Sequence, residues 1–136
     1  MVRQFCLYIS FTQIDFTGYR IGQVRVIFSL RGDDAQRFFG PAAATVSQHL
    51  AYVEWFKLTS PTAKPHHLLY QVKRSLRNDQ RLASIIPIEN IQRSIHLFPA
   101  FGAVVPHDWS SDNVLEKCEK FYINVFSDRH AYHTII

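Results

Sequence analysis

Seven histidines, two cysteines and a run of basic residues in mid-chain are the side chains of this 136-residue sequence whose types could do chemistry. His66-His67, the pair His130 and His133 beside Asp128, and the isolated His49, His96 and His107 are the candidates for metal ligation. A zinc site needs three or four ligands at recognisable spacing, and none of these pairs is accompanied by the rest of a set, so neither a metal nor another cofactor is expected. Cys6 and Cys118 alone exclude a disulfide framework and an all-cysteine zinc site, and fit an intracellular, reducing compartment. There is no Gly-x-Ser-x-Gly, no phosphate loop and no Cys with an evident His partner. Acidic residues are scattered and mostly neighbour bases, as on a solvated surface, so the chain reads as a non-enzyme.

The basic residues are the better lead. The net charge is +4, and Lys73, Arg74, Arg77 and Arg81 crowd into nine residues against the single Asp79. Arg93 and Arg25 extend the set. On one sheet face these cations would contact phosphates, with Tyr70 placed to stack on a base, whereas a solvated hairpin tip would use the same residues for solubility alone. Residues 112–128 have the opposite balance, with Asp112, Glu116, Glu119 and Asp128 against Lys117 and Lys120. Positive density is thus concentrated in the middle. A rival reading takes the aromatics Tyr52, Tyr70 and Trp109 as a groove for a peptide. Trp55 is assigned to the core by its strand alternation.

Period-two alternation supplies the elements that must position these groups. Phe5, Leu7, Ile9 and Phe11 mark a first strand. Gly22 to Leu30 is a second, with Val24, Val26, Phe28 and Leu30 on its inner face and Arg25 pointing away. Leu50 to Phe56 is the central one. Ala51, Val53 and Trp55 line one of its sides and Leu50, Tyr52, Glu54 and Phe56 the other; with large apolar groups on both, it belongs inside a closed or doubly covered sheet. Further strands are expected at Leu68 to Lys73 (Leu68, Tyr70 and Val72 inward), Leu82 to Ile86 up to Pro87, Ser94 to Phe98, and Phe121 to Phe126. Asp33 or Asp34 is placed to cap a helical turn through Phe38 and Phe39. Ser111 or Asp112 caps a short helix that presents Val114, Leu115 and Cys118 on one face. The apolar run at Phe5 to Ile9 is interrupted by Ser10, Thr12, Gln13 and Asp15, so neither a signal segment nor a membrane span is expected.

Five ordered motifs carry a family resemblance. They are Tyr19 to Phe28, Leu50 to Phe56, Ile85-Ile86-Pro87 with Arg93 to Pro99, Trp109 to Glu116, and Phe121 to Asn124 with Asp128-Arg129-His130. The series resembles the C-terminal region of proteins encoded by basidiomycete fungal transposons of the Plavaka and related KDZ groups, and covers nearly the whole chain from Phe5 onward. The resemblance implies a transposon-derived accessory domain, or an inert remnant of one, that works in the nucleus with DNA or chromatin and a transposase-like protein. That family's acidic catalytic core and Cys-rich zinc modules lie upstream of the matched region, so no catalytic position is carried over. The strand order also looks like that of bromo-adjacent-homology chromatin modules, an analogy of fold alone. The expectation is therefore one domain over residues 1–136, mainly β, a small curled sheet or barrel of the Src-homology or bromo-adjacent-homology kind with one or two short helices. Its expected core is Val24, Val26, Phe28, Val53, Trp55, Val72, Ile86, Leu97 and Ile123.

Overall fold

The computed structural model describes residues 6–10 and 19–124 of the chain. It is mainly β, a curled half-barrel sheet with two short helices. In chain order the described elements are β1 (Cys6–Ser10), β2 (Tyr19–Ser29), α1 (Gly32–Phe39), β3 (His49–Leu58), β4 (Gln71–Arg74), β5 (Leu76–Arg77), β6 (Gln80–Arg81), β7 (Ala83–Pro87), β8 (Ile91–Ile95), β9 (Leu97–Pro99), α2 (Val114–Lys117) and β10 (Lys120–Ile123). Among the described residues no helix is long and apolar enough to cross a membrane.

Every pairing is antiparallel, and the hydrogen-bonded order is β8-β1-β2-β3-β4-β10-β9. The two strands at the ends of this path, β8 and β9, are consecutive in sequence and separated by His96 alone. One residue therefore ties opposite edges of the sheet together, and a flat sheet could not satisfy that link. β3 is long enough to serve two partners along one edge: Leu50 to Glu54 pair with β7, and Phe56 to Leu58 pair with β4. Between those partners the chain runs out and back as the hairpin of β5 and β6, whose two turn residues, Asn78 and Asp79, have φ of 52° and 60°. Two left-handed residues in a two-residue loop are the type I′ geometry that matches strand twist.

Curling gives β3 two covered faces. Within the half-barrel lie Ile21, Phe56, Val72, Ile95, Phe121 and Ile123, closed off by Leu115 of α2 and by Cys118. Phe56 and Phe121 meet edge to face at 5.8 Å, a favoured quadrupole arrangement. On the other side of β3, Ala51, Val53 and Trp55 pack with Ile86, flanked by Val24, Leu82 and Ile91. Gly22 lies beneath them because a Cβ there would collide with Val53 Cγ1 and come within 3.2 Å of Trp55.

The expected central strand is therefore present, with Tyr52, at 39% exposure, the exception to its coverage. Several details differ. A β-bulge falls between Val24 and Val26, so Arg25 is an extra residue and the alternation reverses across it. Val24 stays on the Val53 side, whereas Val26 is turned out and 53% exposed, and Phe28 is only half-buried. Leu68, expected inward, is exposed and carries a left-handed φ of 57° that ends any strand there. The expected single strand Ser94 to Phe98 is split at His96, because its halves serve opposite edges. Asn113, rather than Ser111 or Asp112, stands at the start of α2, and Arg31, rather than an aspartate, at the start of α1. The readings at Phe5, beyond Asn124, and at His130 and His133 lie outside the described residues.

Candidate nucleic-acid interface

The bulge at Arg25 has an electrostatic consequence. Its side chain falls on the same face of the sheet as Glu54, where cations from three parts of the chain converge. Arg74 donates to Glu54 at 3.2 Å and Arg81 at 3.0 Å, while Arg25 lies 3.9 Å from the same carboxylate. Glu116 of α2 takes Arg25 and Arg81, each at 2.5 Å, with Arg74 at 3.8 Å. Arg74 also donates to the side-chain oxygen of Gln23 and to the Leu115 carbonyl at 2.9 Å, and its guanidinium lies 4.5 Å from the centre of the Phe56 ring. Hydrogen bonding to Glu116 and Glu54, against the opposing effect of burial, raises the Arg81 pKa. The Glu116 carboxyl is pulled below its ordinary value first by the hydrogen bond from Arg81, then by that from Arg25. Three guanidiniums share two carboxylates.

This network divides the six cations singled out from the sequence, which do not form one surface. Arg25, Arg74 and Arg81 are engaged by Glu54 and Glu116, and the Arg74 side chain, 10% exposed, is out of a phosphate's reach. Arg77 is exposed on the projecting hairpin. Arg93 is half-buried on β8, at the far end of the sheet path from β4. Lys73 alternates with Val72 and Arg74 and so faces the opposite way, out from the half-barrel.

There Lys73 has company that sequence reasoning missed. Lys57 of β3 is its direct cross-strand partner on one side and Lys120 of β10 on the other. All three are exposed, on three adjacent strands, and therefore form one row roughly 10 Å long. Among the described residues no carboxylate lies within salt-bridge distance of any of them. Arg20, two residues from Gly22 on β2, adds a fourth cation to this face, its guanidinium 4.2 Å from the centre of the Trp55 ring. The next row along the strands is Gln71, Tyr122 and Phe98, again direct cross-strand partners. Phe98 is 46% exposed, and His67 meets Tyr122 edge to face at 4.6 Å. Alternation in Lys120-Phe121-Tyr122-Ile123 already set Lys120 and Tyr122 apart from the interior pair. What no local pattern reveals is that β10 lies beside β4.

The aromatic groove does not assemble as expected. Tyr70 and Trp109 are half-buried against the interior cluster of Phe56, Val72 and Leu115, while Tyr52 stands between Val26 and Ile85 on neighbouring strands. Trp55 is a core residue, 1% exposed, with its indole N–H donating to Ser84 Oγ at 3.0 Å. Among the described residues no group of three metal-ligating side chains gathers, and His67 uses Nδ1 to accept from the Leu69 amide. Cys118 is buried as a free thiol. Comparison of the chain with protein-family models, with curated proteins and with solved structures gave no match.

Proposed function

We propose that this chain is a non-catalytic accessory module that engages DNA or chromatin in the nucleus, of the fungal transposon kind its five motifs resemble, working beside a transposase-like protein. The observation that carries this reading is the row Lys57, Lys73 and Lys120. Like charges directly opposite one another on a sheet repel, at a cost of about 0.2–1 kcal/mol per pair. A chain that maintains two such contacts in succession, with no carboxylate among the described residues set between them, holds a strip of positive potential at the expense of its own stability. A polyanion relieves that repulsion by placing phosphates along the row. The arginines that crowd the sequence support the module differently, by fixing β3, β4 and α2 to one another.

The test is a fluorescence-anisotropy titration of the whole chain with a labelled duplex of about 20 base pairs over a range of salt. Three phosphate contacts give a slope of log affinity against log salt of about −2.7. Replacing Lys73→Glu together with Lys120→Glu should abolish binding while leaving the fold intact, because the contact of residue 73 with Lys57 becomes attractive and its contact with residue 120 is like-charged before and after. An affinity indifferent to salt, or unchanged in that double variant, overturns the reading.

A further inference from the structure

The lysine row is not alone on its face, and what borders it bears on the kind of nucleic acid it fits. Gln71 and Tyr122 lie two residues along β4 and β10 from Lys73 and Lys120, a step of about 7 Å, and point to the same side, with Phe98 of β9 the cross-strand partner of Tyr122. Phe98 is the most open ring of that row. It sits on β9 facing away from the half-barrel interior, while its neighbour Leu97 packs inward, and it leaves 46% of its surface in water. Tyr122 beside it is braced edge-on by His67, which fixes the Tyr122 ring while Phe98 stays open. Cations therefore form one rank, and the rings of Tyr122 and Phe98 stand in the next, all on paired strands.

We infer that the ligand of this face is single-stranded nucleic acid, its phosphates lying along Lys57, Lys73 and Lys120 and an unpaired base stacking on Phe98 beside Tyr122; this rests on the nucleic-acid reading above. A duplex cannot use the aromatic rank, because its bases are stacked on one another and their faces are closed. A single strand offers both a backbone and free base faces, and a cationic track beside aromatic platforms is the arrangement that takes them. Recognition of this kind is tolerant of sequence, since every base has a face to stack. The two ranks divide the work: the lysines set salt dependence, and Phe98 sets the preference for unpaired strands.

The experiment compares a labelled 12-nucleotide oligothymidylate with a duplex of the same length, each titrated with the whole chain at fixed salt. The expected result is tighter binding of the single strand by about tenfold or more. Phe98→Ala, a truncation at an exposed position, should weaken that binding by roughly five- to a hundredfold while leaving the duplex affinity unchanged, and Phe98→Trp should retain it. Equal or tighter binding of the duplex overturns the inference, as does a single-strand preference that survives Phe98→Ala. If in either case the reversal of Lys73 and Lys120 still abolishes binding, the broader nucleic-acid reading stands. If neither probe binds, both fall.

Discussion

Removing the Glu54 carboxylate should damage this fold more than removing Arg74, its most buried cationic partner, and the reason is a count of charges. Glu54 and Arg74 have side chains only 11% and 10% exposed, so their pairing is made largely out of water. Among the described residues Glu54→Leu leaves three guanidiniums around the single carboxylate of Glu116, which lies 3.8 Å from the buried Arg74. Stranding one partner of a buried pair costs about 3–5 kcal/mol. Hydrogen bonds from Arg74 to Gln23 and the Leu115 carbonyl remain, which places this case near the lower end, about 3 kcal/mol. Arg74→Met instead leaves two cations and two anions, with Glu54 still held by Arg81 at 3.0 Å, so the loss should be nearer about 1–2 kcal/mol. The double variant places two apolar side chains beside Phe56 and should recover most of the difference, with a coupling energy of about 2 kcal/mol. Urea unfolding monitored by fluorescence of the buried Trp55 gives each value from the midpoint at constant slope. Equal losses for the two single variants, or a double variant that is the plain sum of them, would refute the charge-count reasoning.

Two further outcomes follow from the same structure. Because the Glu116 carboxyl is held below its ordinary value near 4.5, its contribution to stability is complete above that pH and is lost as pH falls through the lower folded-state value. Urea midpoints measured from pH 7 down to pH 3 should therefore fall less steeply in Glu116→Gln than in the natural chain. Gly22→Ala should destabilise by about 1–3 kcal/mol, since the added methyl meets Val53 and Trp55 between paired strands that cannot separate, and the midpoint of thermal unfolding reads it directly.

Much of the architecture was legible because strand alternation is a property of the backbone itself. Side chains of a strand point to opposite faces in turn wherever it lies, so Ala51-x-Val53-x-Trp55 and Lys120-x-Tyr122 could be sorted by face from their letters alone. A central strand with apolar groups on both sides needed cover on both, and the structure provides it at every position from Leu50 to Phe56 but Tyr52. Where the rule failed, at Val26 and Phe28, one inserted residue had reversed the parity, and a bulge depends on the partner strand as much as on its own sequence.

The sequence by itself determined that this is a β-rich chain, where most of its strands run, and that its basic residues outnumber its acidic ones. It could not decide which charges meet. Arg74 and Arg81 look like a free cluster beside Asp79, yet the groups that engage them, Glu54 and Glu116, come from a strand and a helix elsewhere in the chain. Lys57, Lys73 and Lys120 look unrelated until β3, β4 and β10 lie side by side. Alternation acts over two residues, whereas charge acts through space, and only the curled path of strands brings distant parts of the chain within each other's reach.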